Sequence, residues 1–353
     1  MNRRTPVLPR GVLLALGAAV LFGLSTPAAK RLLGDVHPVL LAGLLYAGSG
    51  LGLFLSWLAR GGGSEAALTR RDAPWLAGAV AFGGILAPVL LLVGLRATPA
   101  SSASLLLNLE GVLTALLAWF VFRENFDRRV AAGMLLIVVG GVVLSWPGGA
   151  ETGLPLGAVA IAAACLCWAI DNNLTQRVSG GDPVQVAAIK GGVSGVVNLA
   201  LAGALGASRP SAGLLGASLV VGFVGYGVSV SLFVVALRHV GTARTGAYFS
   251  VAPFVGAAAS LAWLGEPLRP GLAAAALLMA AGVWLHLTER HEHEHRHERL
   301  VHAHRHVHDD HHQHPHGSGD PGGEPHTHDH VHEPLTHGHP HYPDIHHRHP
   351  HGV

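Results

Sequence analysis

The sequence predicts an all-α polytopic membrane protein, in which ten transmembrane helices form two inverted five-helix repeats, followed by a disordered tail. Three observations predict this fold class. First, half of the 353 residues are hydrophobic and 12% are charged, whereas an average soluble domain carries about 25% charged residues. Second, the apolar residues fall into ten stretches long enough to cross a bilayer. Third, the two halves of the chain align on each other.

The ten apolar stretches are separated by short segments rich in Gly, Pro and charged residues, such as GDVHP, RATPA and RHVGTA. A helix needs about 20 apolar residues to cross the hydrocarbon core. The predicted spans 1 to 10 are residues 11–29, 38–59, 74–95, 101–122, 130–146, 154–174, 184–205, 212–237, 244–264 and 270–287. The connections leave no room for an aqueous domain before residue 288.

The distribution of Lys and Arg between the connections predicts the orientation, because cytoplasmic loops carry an excess of these residues. With the N-terminus inside, twelve Lys and Arg residues lie in inside segments and five in outside segments. An even number of spans then returns the C-terminus to the inside. We therefore expect a bacterial inner-membrane protein with both termini in the cytoplasm.

An internal repeat relates the two halves at a constant offset of 142 residues. Arg96 then meets Arg238, Glu124 meets Glu266, and Gly140 meets Gly282. We divide the chain into a first five-helix repeat (1–146), a second five-helix repeat (147–288) and a histidine-rich tail (289–353). Because five is odd, the repeats lie in opposite orientations, as in many secondary transporters whose site is at the repeat interface.

Three segments resemble the EamA family of the drug/metabolite transporter superfamily. FGLSTPAAKRLL opens the first repeat, FRENFDRRVAAGMLLIVVGGVVL closes it, and LGEPLRPGLAAAALLMAAGVWL closes the second repeat. The resemblance covers about residues 10–288. It implies transport of a small molecule across a bacterial inner membrane, often as export, and it does not specify the cargo. The long histidine tail departs from the family pattern.

Ionisable and amide side chains within the spans are the candidate functional residues. A charged group at mid-membrane costs roughly 2.5–3.5 kcal/mol on insertion scales, so it is a functional candidate by default. Glu110 is a protonatable group that would couple transport to a proton gradient, and Lys190 would bind an anionic substrate group. The predicted substrate or proton pathway consists of Glu110, Asn108, Asp171, Asn172, Lys190, Ser194 and Asn198.

Structural interpretations of the same residues stay open at this stage. Glu110 and Lys190 would also suit a buried ion pair between helices, and Asp171 lies close enough to a span end to be solvated. Ser and Asn stripes commonly make interhelical hydrogen bonds. Glu266 suits a capping role at a span end, and Gly191 with Gly195 suits close helix packing.

The tail is dominated by histidine, with 23 of the 26 histidines from His291 onward. Its polar, proline-punctuated composition cannot bury a core. Imidazole binds Zn, Ni, Co and Cu, so we expect exchangeable sites for these ions, and no cofactor is required. The candidate metal ligands are His291, His293, His295, His297, His302, His304, His306, His308, His311 and His312.

The preferred function is a secondary transporter that exports small metabolites and carries a metal-binding cytoplasmic tail. Its expected partners are a small-molecule substrate, the lipid bilayer and divalent metal ions, with a homodimer left open and no nucleic acid. A divalent metal transporter and a membrane-anchored metal sensor or scaffold remain alternatives. An enzyme is not expected, because the spans contain neither HExxH nor GxSxG.

Overall fold

The structure of the chain is a computed structural model. It describes residues 10–59, 68, 70, 72–122, 128–146, 155–178, 183–287, 292–296, 300–306, 326–332 and 336–340. Within these residues, everything up to residue 287 is helical or in short connections. The prediction of an all-α polytopic membrane protein is confirmed.

The helices of the first repeat are α1 (Arg10–Leu32), α2 (Pro38–Ala59), α3 (Ala73–Ala79), α4 (Ala87–Ala97), α5 (Ala100–Leu106), α6 (Leu109–Phe122) and α7 (Arg128–Ser145). Those of the second are α8 (Leu156–Arg177), α9 (Pro183–Ala204), α10 (Ala212–Val221), α11 (Ser229–Phe249), α12 (Ala252–Leu264) and α13 (Pro270–Leu287). Two π-helical segments, π1 (Val80–Leu86) and π2 (Gly222–Val228), join α3 to α4 and α10 to α11.

Seven of the described helical segments are long and apolar enough to cross a membrane. They correspond to spans 1 to 4 and 6 to 8. The other three predicted spans correspond to shorter apolar helices, Ala131–Ser145, Ala252–Leu264 and Pro270–Leu285. The ten apolar stretches of the sequence thus all appear as apolar helices in the described part of the chain.

The offset of 142 residues reappears in the irregular parts of the helices. Segment π1 begins at Val80 and π2 begins at Gly222, so the two π segments occupy equivalent positions. The helix of span 4 is interrupted between α5 and α6, and the chain is interrupted again between α11 and α12, within one residue of the equivalent place. A π segment leaves backbone groups outside the regular α-helical ladder, and such segments are frequent at functional sites.

The first helix of each repeat packs against the other repeat. Helix α1 lies against α11, α12 and π2, and α8 lies against α4, α6 and π1. Helices α2 and α9, which are equivalent, pack on each other, as do α7 and α13. A Cβ added to Gly191 would lie 2.8 Å from the backbone nitrogen of Gly50, and one added to Gly195 would lie 2.6 Å from that of Ala47. The predicted packing role of Gly191 and Gly195 is therefore confirmed.

One predicted connection is helical. The sequence RHVGTA was expected to be a loop between spans 8 and 9, but α11 runs through it from Ser229 to Phe249. In the first repeat, the equivalent turn contains Pro99, which precedes α5. The second repeat has Gly241 at this place and no proline. Because proline is the strongest helix breaker and glycine is tolerated within helices, the second stretch stays helical.

The tail has regular backbone structure at four short segments, which differs from the expected disorder. They are β1 (Glu292–Arg296), β2 (Leu300–His306), β3 (His326–His332) and β4 (Thr336–Pro340). Strand β1 pairs antiparallel with β4, and β2 pairs antiparallel with β3. The physical basis is the two-residue period of the sequence, since His at every second position suits an extended strand as well as a disordered chain.

The end of the bundle at which α1 finishes is held together by two charged side chains. Lys30 Nζ donates to the carbonyl oxygen of Leu95 in the last turn of α4 (2.5 Å) and to that of Thr98, which follows the helix (2.9 Å). Glu266 accepts hydrogen bonds from the backbone nitrogens of Ala100 (2.6 Å) and Ser101 (2.9 Å), at the start of α5. The expected capping role of Glu266 is confirmed, and it links the second repeat to the first.

Replacing Glu266 by alanine is expected to lower the free energy of unfolding by about 1–2 kcal/mol, because it leaves the first amides of α5 without an acceptor. The measurement is the thermal unfolding of the purified protein in detergent. Arg269→Ala is the matched control, since this exposed residue lies three positions further along the same connection. Equal Tm values for the two variants would contradict the capping contribution.

Candidate functional site

An ion pair links spans 6 and 7 within the membrane bundle. Lys190 Nζ lies 2.5 Å from Asp171 Oδ1, and the side chains are 18% and 8% exposed. The Thr175 hydroxyl donates to the same carboxylate oxygen (2.8 Å) and accepts from Lys190 Nζ (3.1 Å). The alternative of a solvated Asp171 is not what the structure shows, because Asp171 is buried and π1 packs against α8, with Gly83 beside the carboxylate.

A second polar group joins span 4 of the first repeat to span 6 of the second. Asn172 Nδ2 donates to Glu110 Oε1 (2.9 Å) and to the Thr114 hydroxyl (3.3 Å). Asn173 Nδ2 donates to the carbonyl oxygen of Thr114 (3.4 Å). Glu110 is half-buried and Asn172 is exposed within the described structure. This group and the ion pair are adjacent on α8, and together we call them the polar cluster: Glu110, Thr114, Asp171, Asn172, Thr175 and Lys190.

The proposed pairing of Glu110 with Lys190 is not what the structure shows. The partner of Lys190 is Asp171, and within the described residues Glu110 bonds a neutral amide instead of a cation. The reason is helical geometry. Asp171 and Thr175 are four residues apart on one face of α8, and this face receives Lys190, while Asn172 points towards span 4.

Segment π1 makes room for the polar cluster. A Cβ added to Gly83 would overlap the carboxylate of Asp171, and one added to Gly84 would overlap the hydroxyl of Ser194. The carbonyl oxygen of Gly83 accepts hydrogen bonds from the Tyr46 hydroxyl (2.9 Å) and the indole nitrogen of Trp168 (3.0 Å). In a membrane interior, backbone groups released from the helical ladder need such partners.

The other predicted pathway residues lie at the edge of this arrangement. Asn198 Nδ2 donates to the carbonyl oxygen of Gly84 (3.1 Å), and Ser194 is fully buried beside Gly84. Asn198 Oδ1 and Ser194 Oγ have no hydrogen-bond partner among the residues that the structure describes. Asn108 donates to the carbonyl oxygen of Leu105 (2.9 Å) and lies 3.9 Å from the sulfur of Met279. Asn108 therefore provides a hydrogen-bond donor for a backbone carbonyl at the break between α5 and α6, and it takes no part in the hydrogen bonds of the polar cluster.

Sequence reasoning did not select Tyr46, Trp168 or Gly83 for the site. An aromatic residue or a glycine in a span is too common to be selected on its own. The available signal was the repeat: Gly83 and Gly225 are equivalent at the 142-residue offset, and both are buried in π segments. A Cβ added to Gly225 would contact Ser25, the residue that aligns with Asp171 when the first spans of the two repeats are matched.

The structure describes five of the ten predicted metal ligands. The structure describes the backbone of His293 and His295 in β1, and of His302, His304 and His306 in β2. The remaining predicted ligands, His291, His297, His308, His311 and His312, fall outside the described residues. Where side chains are described, no group of three or more His, Cys, Asp or Glu residues is arranged to hold a metal ion.

Comparison with known proteins identifies the family. The profile described as the EamA-like transporter family matches the chain twice, over residues 9–146 and 155–288. The chain belongs to the EamA family. It is 30% identical over 292 residues to an uncharacterized transporter of Methanothermobacter thermautotrophicus, and the match covers 78% of this chain and 85% of that protein.

Two further similarities place the EamA chain among membrane transporters. It is 27% identical over 206 residues to the uncharacterized transporter YyaM of Bacillus subtilis, covering 55% of this chain and 66% of YyaM. A 79-residue segment is 48% identical to the probable 4-amino-4-deoxy-L-arabinose-phosphoundecaprenol flippase subunit ArnE of Pseudomonas paraeruginosa, covering 22% of this chain and 66% of ArnE. One solved crystal structure superposes with a TM-score of 0.60 at 21% identity, over 80% of this chain and 99% of its own, which shows the fold.

Proposed function

We propose that the protein is a secondary transporter that exports small metabolites across the bacterial inner membrane and carries a metal-binding cytoplasmic tail. The observation that carries the proposal is the polar cluster. Its members come from span 4 of the first repeat and spans 6 and 7 of the second. Transporters with inverted repeats bind substrate at such an interface.

The chemistry of the polar cluster supports a transport site over a purely structural one. Burying an ion pair gains little stability on average, and well-packed apolar residues are often as good. Here a lysine, two carboxylates, one amide and two hydroxyls gather beside a π segment, with Glu110, Thr175 and Lys190 half-buried. Incompletely buried charges in a membrane bundle face a water-filled cavity or each other.

Transport is tested directly with purified protein in liposomes. The liposomes are loaded with a defined mixture of amino acids, amines, organic acids, sugars and nucleosides, and the loss of each compound is followed by mass spectrometry. We expect selective loss of a few compounds, driven by a pH gradient if Glu110 couples to protons. Loss profiles identical to those of protein-free liposomes would refute the transport proposal.

Both termini are expected in the cytoplasm, because twelve Lys and Arg residues lie in the predicted inside segments and five in the outside segments. A reporter that is active only in the periplasm, fused after Val353, should be silent. The same reporter fused in the connection 205–211 should be active and serves as the positive control. Activity of the fusion at Val353 would reverse the proposed orientation.

Truncation after Glu289 is expected to preserve membrane insertion and transport of an organic substrate, because the matched repeats end at residue 288. It should remove most Zn or Ni binding and any dependence of transport on those ions. The measurement compares truncated and full-length protein in liposomes, with and without micromolar metal. Loss of metal flux alone would favour metal as cargo, and loss of all organic transport would show that the tail is part of the transport machinery.

A further inference from the structure

We propose that the substrate is an amphipathic organic cation, with its positive group at Glu110 and its apolar body against a cluster of aromatic rings. This inference rests on the proposed function and narrows it to a substrate class. It comes from a difference between equivalent spans of the two repeats. One member of each equivalent pair contributes to the polar cluster or the π segment beside it, and the other member carries aromatic side chains.

The aromatic cluster consists of Phe22, Tyr46, Tyr226, Phe233 and Phe249. The ring of Phe22 contacts those of Tyr226 and Phe249, with centroids 5.7 and 5.4 Å apart. Tyr46 and Tyr226 are 5.7 Å apart, and Phe233 and Phe249 are 5.0 Å apart. All five residues are half-buried, so part of each side chain is left uncovered by protein.

The aromatic cluster and the polar cluster are related by the repeat. The polar cluster and the π segment beside it draw on spans 3, 4, 6 and 7, whose counterparts in the other repeat are spans 8, 9, 1 and 2. The five aromatic residues lie on those four counterpart spans. The polar cluster and the aromatic cluster therefore occupy counterpart spans of the two repeats.

The polar cluster and the aromatic cluster approach each other at Tyr46. Its ring contacts Tyr226, and its hydroxyl donates to the carbonyl oxygen of Gly83, the glycine against which Asp171 packs. Trp168 donates to the same carbonyl oxygen and lies one helical turn before Asn172, the partner of Glu110. A molecule extending from this junction along α8 would reach from the aromatic rings to Glu110. The junction therefore suits a ligand with an apolar ring and an ionic head.

The net charge of the polar cluster indicates whether the ionic group of the ligand is positive or negative. Lys190 is engaged with Asp171 at 2.5 Å, which neutralises both groups. Glu110 bonds the neutral amide of Asn172 and has no ion-pair partner among the described residues. With every group ionised, two carboxylates face one ammonium, and the excess negative charge lies at Glu110. A cationic head restores neutrality, and aromatic faces attract cations as well.

The test uses three permanently charged probes in liposomes: phenyltrimethylammonium, tetramethylammonium and benzenesulfonate. They separate the sign of the charge from the presence of a ring, and none can change its protonation state. We expect phenyltrimethylammonium to move about tenfold faster than either of the others. Equal or faster movement of benzenesulfonate would overturn the proposal.

Variants test whether Glu110 interacts with the charge of the probe and whether the aromatic cluster interacts with its ring. Glu110→Gln should slow both cations about tenfold, while Glu110→Asp keeps a measurable part of the rate. Tyr226→Leu should slow phenyltrimethylammonium and leave tetramethylammonium nearly unchanged. Trp263→Leu, at an exposed aromatic residue of α12, is the control and should alter neither rate. A Tyr226→Leu variant that slows both cations equally would contradict contact between the ring and the aromatic cluster.

The outcomes also separate this inference from the transport proposal. If the metabolite mixture is exported but only anionic or neutral compounds leave, the protein is a transporter and the cation proposal is wrong. If no compound in the mixture and no probe moves, both proposals fail.

Discussion

Replacing Lys190 by methionine abolishes transport and reduces the amount of folded protein in the membrane: this is the largest effect that we expect from a single change. The substitution leaves Asp171 as a carboxylate with no cation at 2.5 Å, inside an apolar bundle. Breaking a buried ion pair by removing one partner costs about 3–5 kcal/mol. Asp171→Asn should likewise abolish transport and reduce the amount of folded protein, since it leaves the Lys190 ammonium facing a neutral amide.

The double variant Asp171→Asn/Lys190→Met separates stability from transport. Removing both charges together relieves the penalty, so the level of folded protein should return close to that of the unmodified protein. Transport should stay absent, because the charges of Asp171 and Lys190 are no longer part of the polar cluster. Protein level is measured by membrane immunoblot and transport by liposome efflux. A double variant that transports at the normal rate would show that the ion pair is only structural.

Replacing Gly83 by alanine is the second large effect. The added Cβ overlaps the carboxylate of Asp171, which is held in place by hydrogen bonds from Lys190 and Thr175. Overpacking of this kind costs about 1–3 kcal/mol. Displacement of Asp171 would also disrupt its contact with Lys190, so we expect both a lower Tm and the loss of transport.

Gly111→Ala is the matched control for this change. Gly111 follows Glu110 in α6, and a Cβ there meets no atom within 4 Å. Because alanine favours helix more than glycine by about 1 kcal/mol, this variant should be as stable as the unmodified protein or more so. Equal loss of transport in Gly111→Ala and Gly83→Ala would contradict the overlap with Asp171 as the cause.

Hydrophobic runs predicted the helices well because the membrane imposes both their length and their composition. The runs at 38–59 and 270–287 coincide with α2 and α13 to the residue. The interruptions were not predicted: the π segments and the break before Leu109 contain no charged residue or proline. In π1, the carbonyl oxygens of Gly83 and Gly84 accept hydrogen bonds from side chains of other spans, which the sequence of π1 alone does not reveal. At the break before Leu109, the side chain of Asn108 donates to the carbonyl oxygen of Leu105.

The candidate site was predicted as a set of residues, but its pairings were not. Glu110, Asp171, Asn172 and Lys190 stand out because charges and amides are rare in spans. Their partners depend on the angles at which α6, α8 and α9 meet. For this reason the sequence left a pairing of Glu110 with Lys190 open, whereas the structure pairs Lys190 with Asp171.

The exchange of first helices between the repeats has a consequence for biogenesis. Helix α1 emerges from the ribosome more than 170 residues before α12, although α11 and α12 are its main packing partners. Until then, its small-residue surface around Gly23, built to receive the backbone of α12 at Ala252, has only lipid or a chaperone to cover it. The first repeat therefore cannot mature alone. Assembly must wait for the second, and a nascent chain that stalls before residue 252 would be a substrate for membrane quality control.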